Sequence, residues 1–103
     1  MTRNPVEDLD EVFHTRARLG IMTVLSAEDQ ADFTSLRTRL DLTDGNLGAH
    51  IRVLEDRGYL VVAKTFDGRI PHTKCKLTSA GRKAFRTYLD RLDAVIRMAE
   101  RGA

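Results

Sequence analysis

The sequence predicts a mainly helical α+β domain in which five helical segments are interrupted once, by a small β-hairpin. Three observations carry that prediction. Apolar residues recur three and four apart through most of the chain, the spacing of one helix face. Between residues 59 and 77 this gives way to a β-branched run (YLVVAK), an Asp-Gly turn (FDGR) and an alternating run (HTKCKL), the pattern of a hairpin. The length of 103 residues supports one hydrophobic core and not two, so the whole of 1–103 is expected to be one domain.

The elements follow in order. PVEDLDEVF (5–13) predicts a short helix, with Pro5 suited to a first turn and Val6, Leu9, Val12 and Phe13 on one face. A second helix is expected over 15–27, burying Leu19, Met22 and Leu25. In DFTSLRTRLDL, Thr34 serves as N-cap of a helix of about two turns carrying Leu36 and Leu40. Leu42 breaks that register and Thr43 offers a second N-cap. Leu47, Ile51 and Leu54 then form a narrow stripe on a helix over 43–57, which Gly58 ends as a C′ residue. The hairpin is expected to turn through a loop of several residues, with Pro71 near its tip. If Leu77 faces the core, then Thr73 and Cys75 do too, while Lys74 and Lys76 face out. Thr78 caps a long last helix over 79–101.

Charged residues make up 31% and hydrophobic ones 42%, the composition of a soluble globular domain. No apolar run approaches the roughly 20 residues that span a membrane, and MTRNPVEDLDEV lacks a signal-peptide core. The one cysteine, Cys75, excludes an internal disulfide and fits a reducing cytoplasm, the expected location. The net charge of +2 is unevenly spread: residues 1–49 carry −4 and residues 50–103 carry +6. Lys64, Arg69, Lys74 and Lys76 stand against Asp67 alone within 64–76, so the hairpin offers a polyanion a local basic segment.

The stretch LTDGNLGAHIRVLEDRGYL (42–60) puts Gly45 and Gly48 in the first turns of a helix, where each costs about 1 kcal/mol relative to alanine. A short helix, a turn of about three residues and a second capped helix make a helix-turn-helix, whose second helix enters the major groove N-terminus first. With Leu47, Ile51 and Leu54 anchored in the core, the face opposite carries Asn46, Ala49, His50 and Val53. The glycines flanking it let the backbone approach DNA closely, or fill a crowded contact between helices, or are poor helix formers that the core tolerates. Asn46 is suited to an adenine edge, His50 to guanine or phosphate, and Arg52 and Arg57 to phosphates. The hairpin then acts as a wing, with Arg69 at its tip over a minor groove and Lys64, Lys74 and Lys76 toward the backbone.

These residues resemble the winged-helix transcriptional regulators of the MarR/ArsR type. The carrying motifs are DLTDGNLGAHIRVLEDRGYL (41–60), the wing KTFDGRIPHTKCKLT (64–78) and SAGRKAF (79–85). The resemblance implies a winged helix-turn-helix over 15–78 with terminal helices 5–13 and 79–101 for dimerisation. It also implies a homodimeric repressor on a pseudo-palindromic operator, with recognition helix 43–57 in the major groove and wing 64–76 on the backbone or minor groove. Its DNA contacts map to Thr43, Asn46, Ala49, His50, Arg52 and Arg69, joined in the expected set by Ser35, Lys64 and Lys74. Asp44 departs from this pattern by placing an acid near phosphates, though it also favours a helix N-terminus. The chain is shorter than typical MarR-type regulators, which argues against their large ligand crevice; a small-molecule effector of unspecified chemistry stays among the expected partners.

Dimerisation has its own support. Phe85, Leu89, Leu92, Ile96 and Ala99 are spaced 4, 3, 4, 3, the seam of a coiled coil, and Tyr88 and Val95 widen it. The dimer interface is expected to combine Leu9, Val12 and Phe13 with Phe85, Tyr88, Leu89, Leu92 and Ile96. The competing assignment packs the last helix on segment 5–13 of its own chain. No catalytic order of residues stands out, so an enzyme is not expected. His72-Thr73-Lys74-Cys75 points its two ligand types to opposite strand faces and gives no zinc site, so no metal or cofactor is expected. A non-specific chromosomal protein or a protein-interaction winged helix keeps the same fold with a different task.

Overall fold

The computed structural model describes residues 4–102. The N-terminal segment forms two single 3₁₀ turns, Pro5–Asp8 and Glu11–Phe13, where the sequence predicts one helix over 5–13. The reason lies in two short polar side chains. Asn4 accepts from the Val6 amide and Asp10 from the Val12 amide, each 3.0 Å away, so Asp10 starts a new turn instead of continuing the first. Val6 consequently stays exposed while Val12 and Phe13 are buried.

Helix α1 (Arg16–Glu28) starts at a Thr15 cap and ends at Asp29, whose φ of 71° lies in the left-handed region that Asp tolerates better than most residues. Strand β1 (Gln30–Asp32), α2 (Phe33–Arg39) and α3 (Asp44–Asp56) follow. Helix α2 opens directly on Asp32 without a side-chain cap, so the predicted N-cap Thr34 lies inside it. The turn between α2 and α3 depends on Asp41, the other left-handed non-glycine residue (φ 53°), and Leu42 N–H closes it by donating to Arg37 O. Thr43 caps α3, its hydroxyl accepting from the Asn46 amide at 3.1 Å.

Strands β2 (Leu60–Asp67) and β3 (Ile70–Leu77) pair antiparallel with Asp67 opposite Ile70, leaving Gly68-Arg69 as a two-residue turn tighter than the expected loop. Asp-Gly is suited to such turns, and Gly68 takes φ 64° there. Strand β1 adds to the outer side of β3, so the sheet order is β1-β3-β2. Helix α4 (Ser79–Arg101) runs 23 residues, about 35 Å at 1.5 Å per residue, in a molecule 60 Å in longest extent.

One core joins these parts: Ile21, Met22 and Leu25 of α1, Leu36 of α2, Leu47, Ile51 and Leu54 of α3, and Leu60, Cys75 and Leu77 of the sheet. An aromatic group ties on both ends of the chain, because Phe13 stacks on Tyr59 at 5.3 Å and meets Phe85 and Tyr88 edge-on. Val12, Phe13, Phe85 and Tyr88 are at most 6% exposed. These four expected dimer-contact residues are thus packed in the core of their own chain.

Candidate nucleic-acid interface

Helix α3 is positioned by its buried stripe and by polar ties to its neighbours. Arg37 of α2 donates to Asp44 at 2.7 Å, so this acid is neutralised from within the chain. Its exposed side carries Gly45, Asn46, Ala49, Arg52 and Val53. A Cβ built on Gly45 or Gly48 meets no atom within 4 Å, so neither glycine serves a crowded contact between helices. The crowded contact is thereby removed, which leaves close approach from outside and poor helix propensity tolerated by the core.

His50, expected on the open face of the helix, also touches α1. It is half-buried, and its Nδ1 stands 3.0 Å from the Arg18 guanidinium of α1. Loss of water around the ring, and then the Arg18 charge, hold its pKa below the usual histidine value. Arg18 in turn donates through Nε to Val12 O at 2.6 Å. Sequence reasoning missed Arg18 altogether, since no pattern links residues 32 positions apart. Arg57 also differs from expectation: it pairs with Asp10 at 3.1 Å and covers the Tyr59 ring, a structural role close to the core.

On the wing, Arg69 occupies the turn itself, and Lys64 sits opposite Thr73 on the paired strands. Arg52, Lys64, Arg69 and Lys74 have no acidic partner among the described residues, whereas Lys76 stands 4.0 Å from Asp29. Phe66 (69% exposed) and Ile70 flank the turn. Ser35 is half-buried and lines a groove between α2 and β3 with Thr34, Thr38, Pro71 and Thr73. Cys75 is fully buried, and burial pushes its thiol up to about 11, which keeps it protonated and unreactive at neutral pH. Among the described residues no group of three or more His, Cys, Asp or Glu side chains could hold a metal ion. None of the described helices is long and apolar enough to cross a membrane.

The structure thus leaves Thr43, Asn46, Ala49 and Arg52 exposed along α3, from its N-cap to its third turn, and sets Arg69 on the turn of the hairpin. Thr43 spends its hydroxyl on the cap, and His50 turns its Nδ1 toward α1 while its Nε2 bonds to none of the described residues.

Known proteins share this fold. A family model described as winged helix DNA-binding domain matches residues 17–96. The uncharacterized protein MJ0432 of Methanocaldococcus jannaschii is 35% identical over 80 residues, which is 77% of this chain and 86% of the relative. A transcriptional regulator homologue from Pyrococcus horikoshii OT3 superimposes with a TM-score of 0.88 at 33% identity, over 94% of this chain and 98% of that one. Overoxidized AbfR bound to DNA shares the fold at 17% identity with a TM-score of 0.72, over 94% of this chain and 74% of its own.

Proposed function

The chain belongs to the winged-helix DNA-binding domain family, and from that premise we propose that it is a sequence-specific transcriptional regulator of double-stranded DNA, acting as a homodimeric repressor. In this reading residues 1–103 form one winged-helix domain. The N-terminal half of α3 enters the major groove, and the wing rests on the backbone or minor groove. One observation carries the proposal: Gly45 and Gly48 open the exposed start of α3 where the fold gains nothing from them. A helix that sacrifices about 2 kcal/mol of propensity in its first turns, beside an exposed Asn46, is suited to meet another surface at close range. The unpaired Arg52, Lys64, Arg69 and Lys74 supply the charge that a phosphate backbone attracts. The structure of AbfR on DNA shows that a chain of this fold docks on a duplex, and the same mode is inferred here.

Selection of bound duplexes from a random pool at near-physiological salt tests the reading. An inverted repeat with half-sites about one turn (~34 Å) apart is the expected product. Binding without an enriched motif would replace the specific regulator with a chromosomal protein. On the selected site, Asn46→Ala is expected to cost about 1–3 kcal/mol at one base pair, with discrimination there relaxed. Arg69→Ala and Lys74→Ala should weaken cognate and random duplexes alike and flatten the salt dependence. Equal losses on cognate and random DNA for Asn46→Ala would remove it as a base reader.

A further inference from the structure

We infer that Arg18 is a positioning residue that fixes His50 as a neutral imidazole protonated on Nε2, so that α3 offers DNA a hydrogen-bond donor at this position. The inference rests on the DNA-binding reading above and deepens it. Its basis is the donor inventory. A guanidinium has no acceptor and keeps its protons at any ordinary pH, so across the 3.0 Å contact Arg18 must donate and His50 Nδ1 must accept. An imidazole whose Nδ1 holds a lone pair carries its proton on Nε2. Nε2 makes no hydrogen bond among the described residues, so this donor is left for something outside the chain.

Arg18 is held firmly enough to impose the choice. Its backbone amide donates to the Thr15 hydroxyl at 3.1 Å and its Nε to Val12 O at 2.6 Å. Arg16, Arg39 and Asp41 line the same groove as His50, and Arg39 is already paired with Glu28. Loss of water around the ring, and then the Arg18 charge, disfavour the doubly protonated form, against the Asp41 carboxylate in the same groove. A donor-only Nε2 suits guanine O6 or N7, thymine O4 or a phosphate oxygen, and it disfavours the amino groups of adenine and cytosine. The shared chemistry is an acceptor atom on DNA, whether of a base edge or of the backbone.

Two measurements test this on the full chain. Histidine ¹⁵N spectra of the free protein at pH 8 should show a pyrrole-type Nε2 and a pyridine-type Nδ1 for His50. In Arg18→Met the two tautomers should mix. An Nδ1-protonated His50 in the wild-type protein would overturn the inference, and this spectrum decides the matter even if the Met variant fails to fold. The second measurement is binding to the selected duplex. His50→Ala should lose preference at one base pair if the acceptor is a base edge, or lose affinity about equally on all duplexes if it is phosphate. Arg18→Met should reproduce that loss, and the double variant should lose no more than either single one. Additive losses, or no loss for His50→Ala, would overturn the positioning role. Failure of the wild-type protein to bind any duplex would instead remove the DNA-binding reading and the donor's outward task, with the tautomer still decided by the spectrum.

Discussion

Single residues set the tolerances of this fold, and Gly81 shows how tightly. It lies in the first turn of α4, where a Cβ would fall 2.0 Å from the Tyr59 carbonyl oxygen. Thr78 explains the close approach. Its hydroxyl donates to Gly58 O at 2.7 Å and accepts from the Gly81 amide at 2.9 Å, while its own N–H donates to Tyr59 O. The L-T-x-x-G motif at 77–81 is therefore a clasp between the end of α3 and the start of α4. Gly81→Ala should destabilise the protein by about 3 kcal/mol, because the obstacle is backbone and has no rotamer to yield. A chemical-denaturation midpoint unchanged by the substitution would contradict the clasp. His50 makes a second residue-level prediction, in pH. Its folded pKa lies below the ordinary value near 6.5, so the neutral ring favours the folded state. That contribution is fully present above about pH 6.5 and is lost as pH falls through the folded pKa. The difference in melting temperature between wild type and His50→Gln should accordingly shrink on going from pH 7.5 to pH 5.

At the scale of elements, α3 separates stability from function. Alanine at Gly45 or Gly48 meets open space, so each substitution should stabilise the isolated protein by about 0.5–1 kcal/mol through helix propensity. The same methyl groups stand where the duplex is inferred to approach, so affinity for the selected operator should fall as the melting temperature rises. A rise in both would locate the DNA contact elsewhere. Much of this element was legible beforehand, since Thr43, the stripe Leu47-Ile51-Leu54 and Gly58 are local signals acting within a few residues. The hairpin and α4 were readable for the same reason, through Asp67-Gly68 and Thr78. Strand β1 was not: Gln30-Ala31-Asp32 has no alternation, and it is a strand only because β3 lies beside it. The N-terminal segment departs from the one helix its regular apolar spacing predicts, because the Asp10 cap divides it. Of the site, the sequence exposed the polar face of α3 and the basic wing. The Arg18 to His50 contact and the loss of Arg57 to Asp10 are tertiary facts, created by packing α3 against α1 and the N-terminal turns.

At the scale of the molecule, the question is what covers α4. Its first half is paired with its own chain through Phe85 and Tyr88, and Arg91 reaches back to donate to Asp8 O at 2.9 Å. Beyond that the helix keeps apolar side chains that this chain leaves open: Leu89 is 43%, Ile96 48% and Met98 40% exposed, with Leu92 and Val95 half-buried. The expected seam therefore divides into an inner part serving the core, which Leu92 also packs against, and an outer part, Leu89 and Ile96, open to the proposed second copy. Leu9 is half-buried and packed against the core, so it contributes at most an edge. A two-fold dimer built on this outer part would bring each substituted residue into the interface twice, once from each copy. Ile96→Glu should thus raise the dimer dissociation constant by at least about tenfold, ~1.4 kcal/mol, and leave the circular dichroism of the monomer unchanged. Sedimentation equilibrium across micromolar concentrations measures it against twice the 11.6 kDa chain mass. Because an operator of two half-sites holds both copies through one interface, the same variant should still bind a half-site but lose most of its advantage on the full repeat. A wild-type chain that sediments as a monomer throughout that range would end the dimer proposal and leave the outer face of α4 to a different partner.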